Sequence, residues 1–508
     1  MAEDQGNAKD EAESETGATG TQPERAPEDR LEVRSHEMEL GGQVLHYTTT
    51  TGTLVLREEV EGEGERAGRF EGHRPKAEVF FVAYTLDGVE DPAGRPLTFV
   101  FNGGPGSSSV WLHLGLFGPK RVDMGEDGLT ARSPYRLVPN EASLLDRTDL
   151  VFIDPVSTGY SRVVEGEKPK PFHAFDKDIE SVAEFIRLYT TRNGRWRSPV
   201  FLAGESYGTT RAAGLAGHLQ ERLGLFPSGL MLISSILDFS TARFGPGNDL
   251  PPLLYLPSYA ASAYYHGRLP EDLQGRPLRQ VLDDVEAFAL ERYAPALLKG
   301  AGIDRSEREA VRAELARFTG LSEAYLEGTD LRVDIFRFAK ELLRDAGRTV
   351  GRIDSRYTGI DRDRAGERFE FDPSMAATQG AYTATFNDYV RSELGFASDL
   401  PYQVLANLHA SWSYKDFENR YVNVAETLRK AISYNPNLRV HVANGYYDLA
   451  TPYFATEHTV RHLALDPTLR DNLSMSYYEA GHMMYVHRPS LLALRDHLAA
   501  FLDETVGA

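Results

Sequence analysis

The chain lacks cysteine entirely, with none among its 508 residues. No disulfide can form, and nothing in the composition indicates an oxidising compartment. The first residues also lack the cationic start and the apolar core of a signal peptide. We therefore expect a cytoplasmic protein, with a secreted protein as the alternative if a leader has been removed.

Positive charge and long apolar runs are also scarce. The 55 Lys and Arg residues are outnumbered by 75 Asp and Glu residues, which gives a net charge of -20. Phosphate binding needs a basic face, so this balance argues against a nucleic-acid partner. No apolar run approaches the ~18 residues of a membrane span, so we expect no membrane partner. The sequence leaves the oligomeric state open, and a homodimer is one option.

The acidic excess is strongest at the N-terminus. The first 30 residues contain nine acidic and three basic side chains and almost nothing apolar. Such a segment cannot bury enough apolar surface to fold on its own. We predict a disordered acidic leader at residues 1–30.

The string GESYG at residues 204–208 is the first motif that predicts chemistry. It follows a short apolar run at 199–203 and precedes a helix-like run through Leu223. A glycine on each side of Ser206 permits a strand to turn abruptly into a helix, which exposes the serine hydroxyl above the sheet. We therefore predict that Ser206 is a nucleophile.

A glycine-rich turn follows an earlier strand. Residues 97–101 read as a buried strand and run into NGGPG at 102–106. In α/β-hydrolases the oxyanion hole takes one amide from the residue after the nucleophile and one from such a loop. These positions are Tyr207 and Gly104. The alternative for the loop alone is a tight turn without a ligand.

A serine nucleophile needs a base and an orienting carboxylate, and the fold predicts the order acid, then histidine. Residues 439–444 alternate like a strand, and Asp448 lies in the loop that follows. Residues 474–478 form another short strand, and His482 lies in the next loop. Each candidate thus follows a strand end, where an open α/β sheet has its ligand crevice. His482 would accept the proton of Ser206, while Asp448 would fix its tautomer.

Other residues compete for these roles. Asp466 and Asp471 lie between Asp448 and His482 in the chain, but neither follows a strand. His487 lies in a run that reads as the start of a surface helix. A lone histidine usually has a surface or structural role. The order of motifs favours a catalytic role for His482 only.

Together these residues resemble the serine carboxypeptidases, in a cysteine-free, bacterial-like branch. Members of that family pair an NGGPG turn with a GESY nucleophile turn. The likeness extends to three further stretches, at 154–161, 445–452 and 481–483. The resemblance implies an α/β-hydrolase that removes C-terminal residues from peptides and needs no metal or organic cofactor.

Carried over position by position, the resemblance assigns three groups of residues. The catalytic triad is Ser206, Asp448 and His482. The oxyanion hole is made by the amides of Gly104 and Tyr207. The terminal carboxylate of a peptide substrate would meet Asn102, Gly103 and Glu205.

The chain departs from the family at two positions. Leu116 occupies a position where the family usually has a glutamate, and Ser107 occupies that of a half-cystine. In the family a pair of crowded carboxyl groups retains a proton, which suits acid pH. Glu205 alone would feel less repulsion, so we expect an optimum nearer neutral pH. Arg121 and Arg211 could supply a further carboxylate contact, with a surface role as the alternative for each.

An insertion lies between Ser206 and Asp448, which are 448 - 206 = 242 residues apart. Amphipathic segments there have the i, i+3, i+4 apolar spacing of helices. We predict an α/β-hydrolase fold whose mostly parallel central sheet is formed by residues 31–240 and 391–508, with a helical cap at 241–390. The alternative is that these helices belong to the core.

The predicted triad and oxyanion hole are typical of enzymes that cleave or transfer acyl groups. We predict a serine carboxypeptidase that acts through an acyl-serine intermediate on a peptide substrate. An acyltransferase or esterase would use the same triad and oxyanion hole. A catalytically inactive binding protein on the same scaffold is disfavoured because every catalytic position is filled.

Overall fold

The computed structural model describes residues 27–129 and 131–507. Most of the predicted leader, residues 1–26, therefore lies outside the described residues. Its last residues belong to the fold, because Arg30 begins the first strand and Asp29 accepts a 2.8 Å hydrogen bond from the amide of Val55. Asp29 also pairs with Arg192 at 2.5 Å. The fold thus begins before the predicted end of the leader at residue 30.

One large sheet organises the chain. Its strand order is β1-β2-β3-β7-β4-β9-β10-β13-β14, and β8 pairs with β3. The bounds are β1 Arg30–Leu40, β2 Gln43–Glu61, β3 Phe70–Leu86, β4 Leu97–Phe101, β7 Asp149–Ile153, β8 Arg162–Val163, β9 Val200–Ser206, β10 Gly229–Ser235, β13 Arg439–Gly445 and β14 Leu473–Tyr478. Strands from β7 through β14 in this order run parallel, whereas β1, β2, β3 and β8 pair antiparallel. The prediction of an α/β fold with a mainly parallel central sheet is confirmed.

The central strands are buried on both faces. Along β4, Phe99 and Phe101 pack in one hydrophobic cluster, and Val100 packs in another. Successive side chains of a strand point to opposite faces, so the two clusters lie on opposite sides of the sheet. A parallel sheet covered on both faces has continuous apolar strands, as the five buried residues of β4 illustrate.

Helices cover both faces of the sheet and form the insertion. Their bounds are α1 Val110–Leu112, α2 Phe175–Arg192, α3 Tyr207–Leu223, α4 Leu250–Tyr265, α5 Glu271–Gln274, α6 Leu278–Phe288, α7 Ala294–Lys299, α8 Arg305–Thr319, α9 Glu323–Gly328, α10 Ile335–Glu341, α11 Pro373–Ser392, α12 Ala425–Tyr434, α13 Tyr453–Arg461 and α14 Arg488–Gly507. Two π-helical turns occur at His113–Phe117 and Ala289–Tyr293. Within the described ranges, no helix combines the length and the apolar character needed to cross a bilayer.

The segment between β10 and β13 has a hydrophobic core of its own. Buried residues of α4 and α6–α10 pack with Tyr447 and Leu449, which lie in the loop after β13, and with Tyr453 of α13. By contrast, buried residues of α11 pack in the same cluster as Val100. Two short antiparallel pairs complete the fold, β5 Lys120–Val122 with β6 Leu137–Pro139, and β11 Thr349–Val350 with β12 Thr358–Gly359. The division at residues 240 and 390 stays a prediction.

Candidate active site

Ser206 is the last residue of β9, and α3 begins at the next residue. Its backbone adopts φ 60° and ψ -128°, a conformation that residues other than glycine rarely adopt. The flanking glycines permit this turn, because a methyl group at Gly204 would lie 2.2 Å from the carbonyl oxygen of Gly208. One at Gly208 would lie 2.8 Å from the carbonyl oxygen of Phe101. The serine therefore lies on a strained strand-to-helix turn, as a nucleophile of this type requires.

The glycine loop after β4 packs directly against this turn. A methyl group at Gly103 would lie 2.4 Å from the amide nitrogen of Tyr207. Gly104 has φ +103°, which favours glycine. Gly104, Ser206 and Tyr207 line one cavity of about 420 Å³. The structure thus brings the two predicted oxyanion-hole residues and the serine to one cavity; the oxyanion hole itself stays a prediction.

Asp448 and His482 form a buried hydrogen-bonded pair. The distance from His482 Nδ1 to Asp448 Oδ2 is 2.7 Å, and neither side chain is more than 5% exposed. The other carboxylate oxygen, Oδ1, accepts hydrogen bonds from the amides of Ala450 and Thr451 at 2.7 and 3.0 Å. Such bonds hold a carboxylate in one orientation, so Asp448 can fix the tautomer of the imidazole.

Thr451 links this pair to the cavity. Its hydroxyl lies 2.7 Å from Asp448 Oδ2 and 3.2 Å from His482 Nδ1. The same residue lines the cavity that contains Ser206. Sequence analysis did not assign Thr451 a role, although it lies in the 445–452 stretch that carries the family resemblance.

Electrostatics favour a charged state of His482. Burial lowers the pKa of His482, but the charge of Asp448, the hydrogen bond to it and the charge of Glu205 together raise that pKa above 6.5. A raised pKa means that the imidazolium formed by proton transfer is stabilised. The pair therefore has the electrostatics of a general base that later acts as an acid.

The segment from Arg352 to Ser355, between β11 and β12, contacts the loops that carry Asp448 and His482. The carbonyl of Arg352 accepts a hydrogen bond from the amide of Leu449 at 3.0 Å, and the amide of Ser355 donates to the carbonyl of Tyr447 at 3.0 Å. On the other side, the carbonyl of Ile353 accepts the amide of His482 at 2.7 Å. No motif marks this segment, which is why sequence analysis missed it.

Glu205 is buried close to the Asp448–His482 pair, whose charges affect its pKa. Its exposure is 4%, and Tyr485 donates a 2.6 Å hydrogen bond to its Oε2. Burial raises the pKa of Glu205 to about 7, although the charge of His482 and the bond from Tyr485 act in the opposite direction. Burial is the largest cause of this raised pKa, and the charge of Asp448 raises it further. The expected pH optimum nearer neutral stays a prediction.

Leu116 and Asn102 complete the region around Glu205. Leu116 is fully buried and belongs to the same hydrophobic cluster as Tyr485. Asn102 Oδ1 accepts the amide of Leu112 at 3.1 Å, whereas its Nδ2 has no hydrogen-bond partner in the described part of the chain. The Asn102 side chain nevertheless interacts with Glu205 and lowers the pKa of that carboxyl, so the two side chains face the same space.

The two arginines considered near this site are engaged elsewhere. Arg211 is buried and donates to Asp178 at 2.8 Å and to the carbonyl of Asn102 at 2.5 Å. It therefore supports the backbone of Asn102 and does not face a substrate. Arg121 pairs with Glu141 at 3.0 and 3.1 Å.

The competing acids and histidine are exposed or hydrogen-bonded to other residues. Asp466 is exposed and caps a short 3₁₀ helix through the amide of Thr468 at 2.9 Å. Asp471 is exposed. His487 Nδ1 lies 2.8 Å from the hydroxyl of Ser490 at the start of α14. Within residues 27–129 and 131–507, no cluster of three or more acidic, histidine or cysteine side chains is arranged to hold a metal ion.

Comparisons with known proteins bear on the family and the fold. The family model described as serine carboxypeptidase matches residues 66–223. The resemblance to the serine carboxypeptidases is confirmed. The matched range contains the glycine loop and the turn at Ser206, which are the parts of the site that come first in the chain.

Individual serine carboxypeptidase relatives match part of the chain. The pheromone-processing carboxypeptidase KEX1 of Saccharomyces cerevisiae is 35% identical over 145 residues, which are 26% of this chain and 18% of the relative. That of Cryptococcus gattii is 28% identical over 244 residues, 45% of this chain and 32% of the relative. The aligned region thus spans less than a third of the length of either relative.

The comparison with solved structures covers much more of the chain than the sequence matches do. The crystal structure of a prohormone-processing carboxypeptidase from Saccharomyces cerevisiae, KEX1(delta)p, superposes with a TM-score of 0.52 at 16% identity. The superposition covers 90% of this chain and 91% of the other. At this identity the likeness shows the fold, and the prediction of an α/β-hydrolase fold is confirmed.

Proposed function

We propose that this chain is a serine carboxypeptidase that removes C-terminal residues from peptides through an acyl-serine intermediate. The observation that carries the proposal is the 2.7 Å bond between Asp448 and His482, linked through Thr451 to the cavity that contains Ser206. The family match over residues 66–223 supports the same chemistry.

In this mechanism His482 removes the proton of the Ser206 hydroxyl as its oxygen attacks the scissile carbonyl carbon. The carbonyl π electrons move to the oxygen, which the amides of Gly104 and Tyr207 stabilise. The imidazolium then gives its proton to the leaving amine as the C–N bond breaks. Water, deprotonated by His482, attacks the acyl-serine and releases the shortened peptide and the serine hydroxyl.

The preference for a free C-terminus would come from Asn102 and Glu205. The Asn102 side chain is buried and interacts with Glu205, so both can meet the same carboxylate. Glu205, with its pKa raised to about 7 by burial, is protonated below that pH and can donate a hydrogen bond to a carboxylate. A buried neutral acid accepts a neighbouring negative charge far better than an ionised one does.

The experiment uses a fluorophosphonate probe and two blocked dipeptides, one with a free C-terminus and one amidated. We expect probe labelling at Ser206 and faster hydrolysis of the free acid, with both lost in Ser206→Ala. Labelling elsewhere, or equal hydrolysis of acid and amide, would contradict the carboxypeptidase proposal.

For the cellular site of action we propose the cytoplasm. The absence of cysteine is the supporting feature, because the fold uses no disulfide and would be stable under reducing conditions. Fractionation of the native cells would test this. Recovery of the protein outside the cytoplasmic fraction would overturn it.

A further inference from the structure

The cavity beside Ser206 has an excess of positive charge. Its lining includes Arg243, Arg352 and Arg368 but only one carboxylate, that of Asp334. This contrasts with a chain whose net charge is -20. A concave surface lined by one sign of charge concentrates ligands of the opposite sign.

Two of these arginines lie over aromatic rings of the cavity wall. The guanidinium of Arg368 is 4.8 Å from the ring centre of Phe336, and that of Arg243 is 5.6 Å from Phe239. Both rings line the same cavity. Stacking on a ring uses the face of a guanidinium and leaves its N–H edge available to a carboxylate.

Arg352 faces the catalytic residues. It is half-buried, and its charge lowers the pKa of His482 and of Tyr255, which also lines the cavity. Its amide donates to Asp372 at 3.2 Å and its carbonyl accepts from Leu449 at 3.0 Å. The backbone of Arg352 is thus held on both sides, which fixes the point from which its side chain enters the cavity wall.

None of the three arginines pairs with a carboxylate of the described residues. Asp334 is already occupied, because its Oδ1 caps α10 through the amides of Phe336 and Arg337 at 2.9 and 3.0 Å. Its Oδ2 lies 3.8 Å from Arg337 Nε. The positive charge of the cavity is therefore left for a ligand.

The position of the cavity decides which part of a peptide it contacts. Gly104, Ser206 and Tyr207 line it, whereas Asn102 and Glu205 are not among its lining residues. If the C-terminal carboxylate binds at Asn102 and Glu205, the leaving residue lies on their side of Ser206. The cavity then holds the acyl part of the substrate.

We propose that this arginine-lined cavity selects peptides with Asp or Glu immediately before the scissile bond. The assignment rests on the proposed carboxypeptidase function. A carboxylate on that side chain would reach the free guanidinium edges, while its aliphatic part would contact the phenylalanine rings of the wall. Such pairing adds a charge-assisted contact that a neutral side chain of the same shape cannot make.

The test compares two N-blocked dipeptides, Glu-Leu and Gln-Leu, which differ in charge but little in shape. We expect kcat/KM to favour the Glu substrate about tenfold at low salt, and this preference to shrink in 1 M NaCl. Arg243→Gln, Arg352→Gln and Arg368→Gln should each lower the Glu-to-Gln ratio about three- to fivefold. Since both substrates use the same triad, this ratio cancels any general change in His482.

Arg420→Gln is the matched control, because Arg420 is exposed and lies 5.2 Å over the ring of Phe417 but does not line the cavity. It should leave the Glu-to-Gln ratio unchanged. Hydrolysis of both peptides with equal efficiency, or a ratio that survives all three cavity variants, overturns the inference and leaves the carboxypeptidase function standing. Failure to hydrolyse either peptide overturns the function and the inference with it.

Discussion

The amide of Gly481 donates a 3.1 Å hydrogen bond to Asp354 Oδ2, so an acid from the insertion holds the residue that precedes His482. Asp354 is itself paired with Arg356 at 2.7 Å, and both side chains are buried. The fit is tight, because a methyl group at Gly481 would lie 2.4 Å from Asp354 Cβ. The position of the candidate base therefore depends on the insertion as well as on the sheet.

Asp354→Asn should impair both catalysis and stability. It leaves Arg356 buried without its counter-charge, which costs about 3 kcal/mol or more. The change also weakens the contact to Gly481, so we expect kcat to fall about tenfold or more while KM stays within about twofold. Steady-state kinetics and thermal unfolding measure the two effects.

Arg356→Gln is the comparison for this variant. It breaks the same ion pair but leaves the contact between Asp354 and Gly481, so it should lower the unfolding midpoint and affect kcat much less. Equal losses of kcat in the two variants would show that Asp354 has no separate positioning role.

Ser206→Ala should abolish turnover and leave folding intact, because it removes one hydroxyl from a residue that helix α3 does not use as a side-chain cap. The expected loss in kcat is on the order of 10⁴ to 10⁶. The double variant with His482→Ala should lose no more than either single variant, since the residues act as a unit. Retention of more than about a tenth of the activity would disprove the assignment.

Asp448→Asn should lower kcat by about 10⁴, because an amide cannot hold the imidazole in the required tautomer. Asp466→Asn is the matched control, since Asp466 is exposed and caps a short helix. Its activity should remain close to that of the parent. A loss of kcat in Asp466→Asn equal to that in Asp448→Asn would assign the role of the orienting acid to Asp466.

Part of the candidate site could be predicted from the sequence alone. Ser206 ends β9, and Asp448 and His482 lie in the loops after β13 and β14; the carboxyl ends of parallel strands meet at one edge of a sheet. Strand patterning and chain order were therefore enough to predict that Asp448 and His482 lie together, as their 2.7 Å hydrogen bond shows. The fold class followed from the same pattern.

The contacts of Asp354 and Tyr485 could not be predicted in this way. Asp354 lies 127 residues before Gly481, in a segment without a motif, and its contact depends on how the insertion folds back. Tyr485 meets Glu205 across 280 residues. The pKa of Glu205 depends on burial, which composition and spacing near GESYG do not reveal.

The burial of Glu205 predicts a pH-dependent preference for free C-termini. With its pKa raised to about 7, Glu205 is protonated below that pH and ionises above it, where it repels a substrate carboxylate. The ratio of kcat/KM for a blocked dipeptide to that for its amide should therefore fall as pH rises through about 7. Using the ratio removes the common dependence on His482, whose pKa is also raised.

Glu205→Gln tests the cause of this dependence, because its amide does not ionise. In this variant the acid-to-amide ratio should no longer change with pH between 5 and 9. Folding favours the protonated form of Glu205, so the parent should lose stability as pH rises from 4.5 to about 7, and the variant should lose less. An acid-to-amide ratio that still falls near pH 7 in the variant would assign the effect to another group.

The central claim is that Ser206 removes residues one at a time from the C-terminus of a peptide. Mass spectrometry of a single unblocked peptide of about ten residues, sampled over time, tests it directly. The account predicts a ladder of products shortened from the C-terminus alone, and no products with Ser206→Ala. Internal cleavage, trimming from the N-terminus, or the same ladder from Ser206→Ala would contradict it.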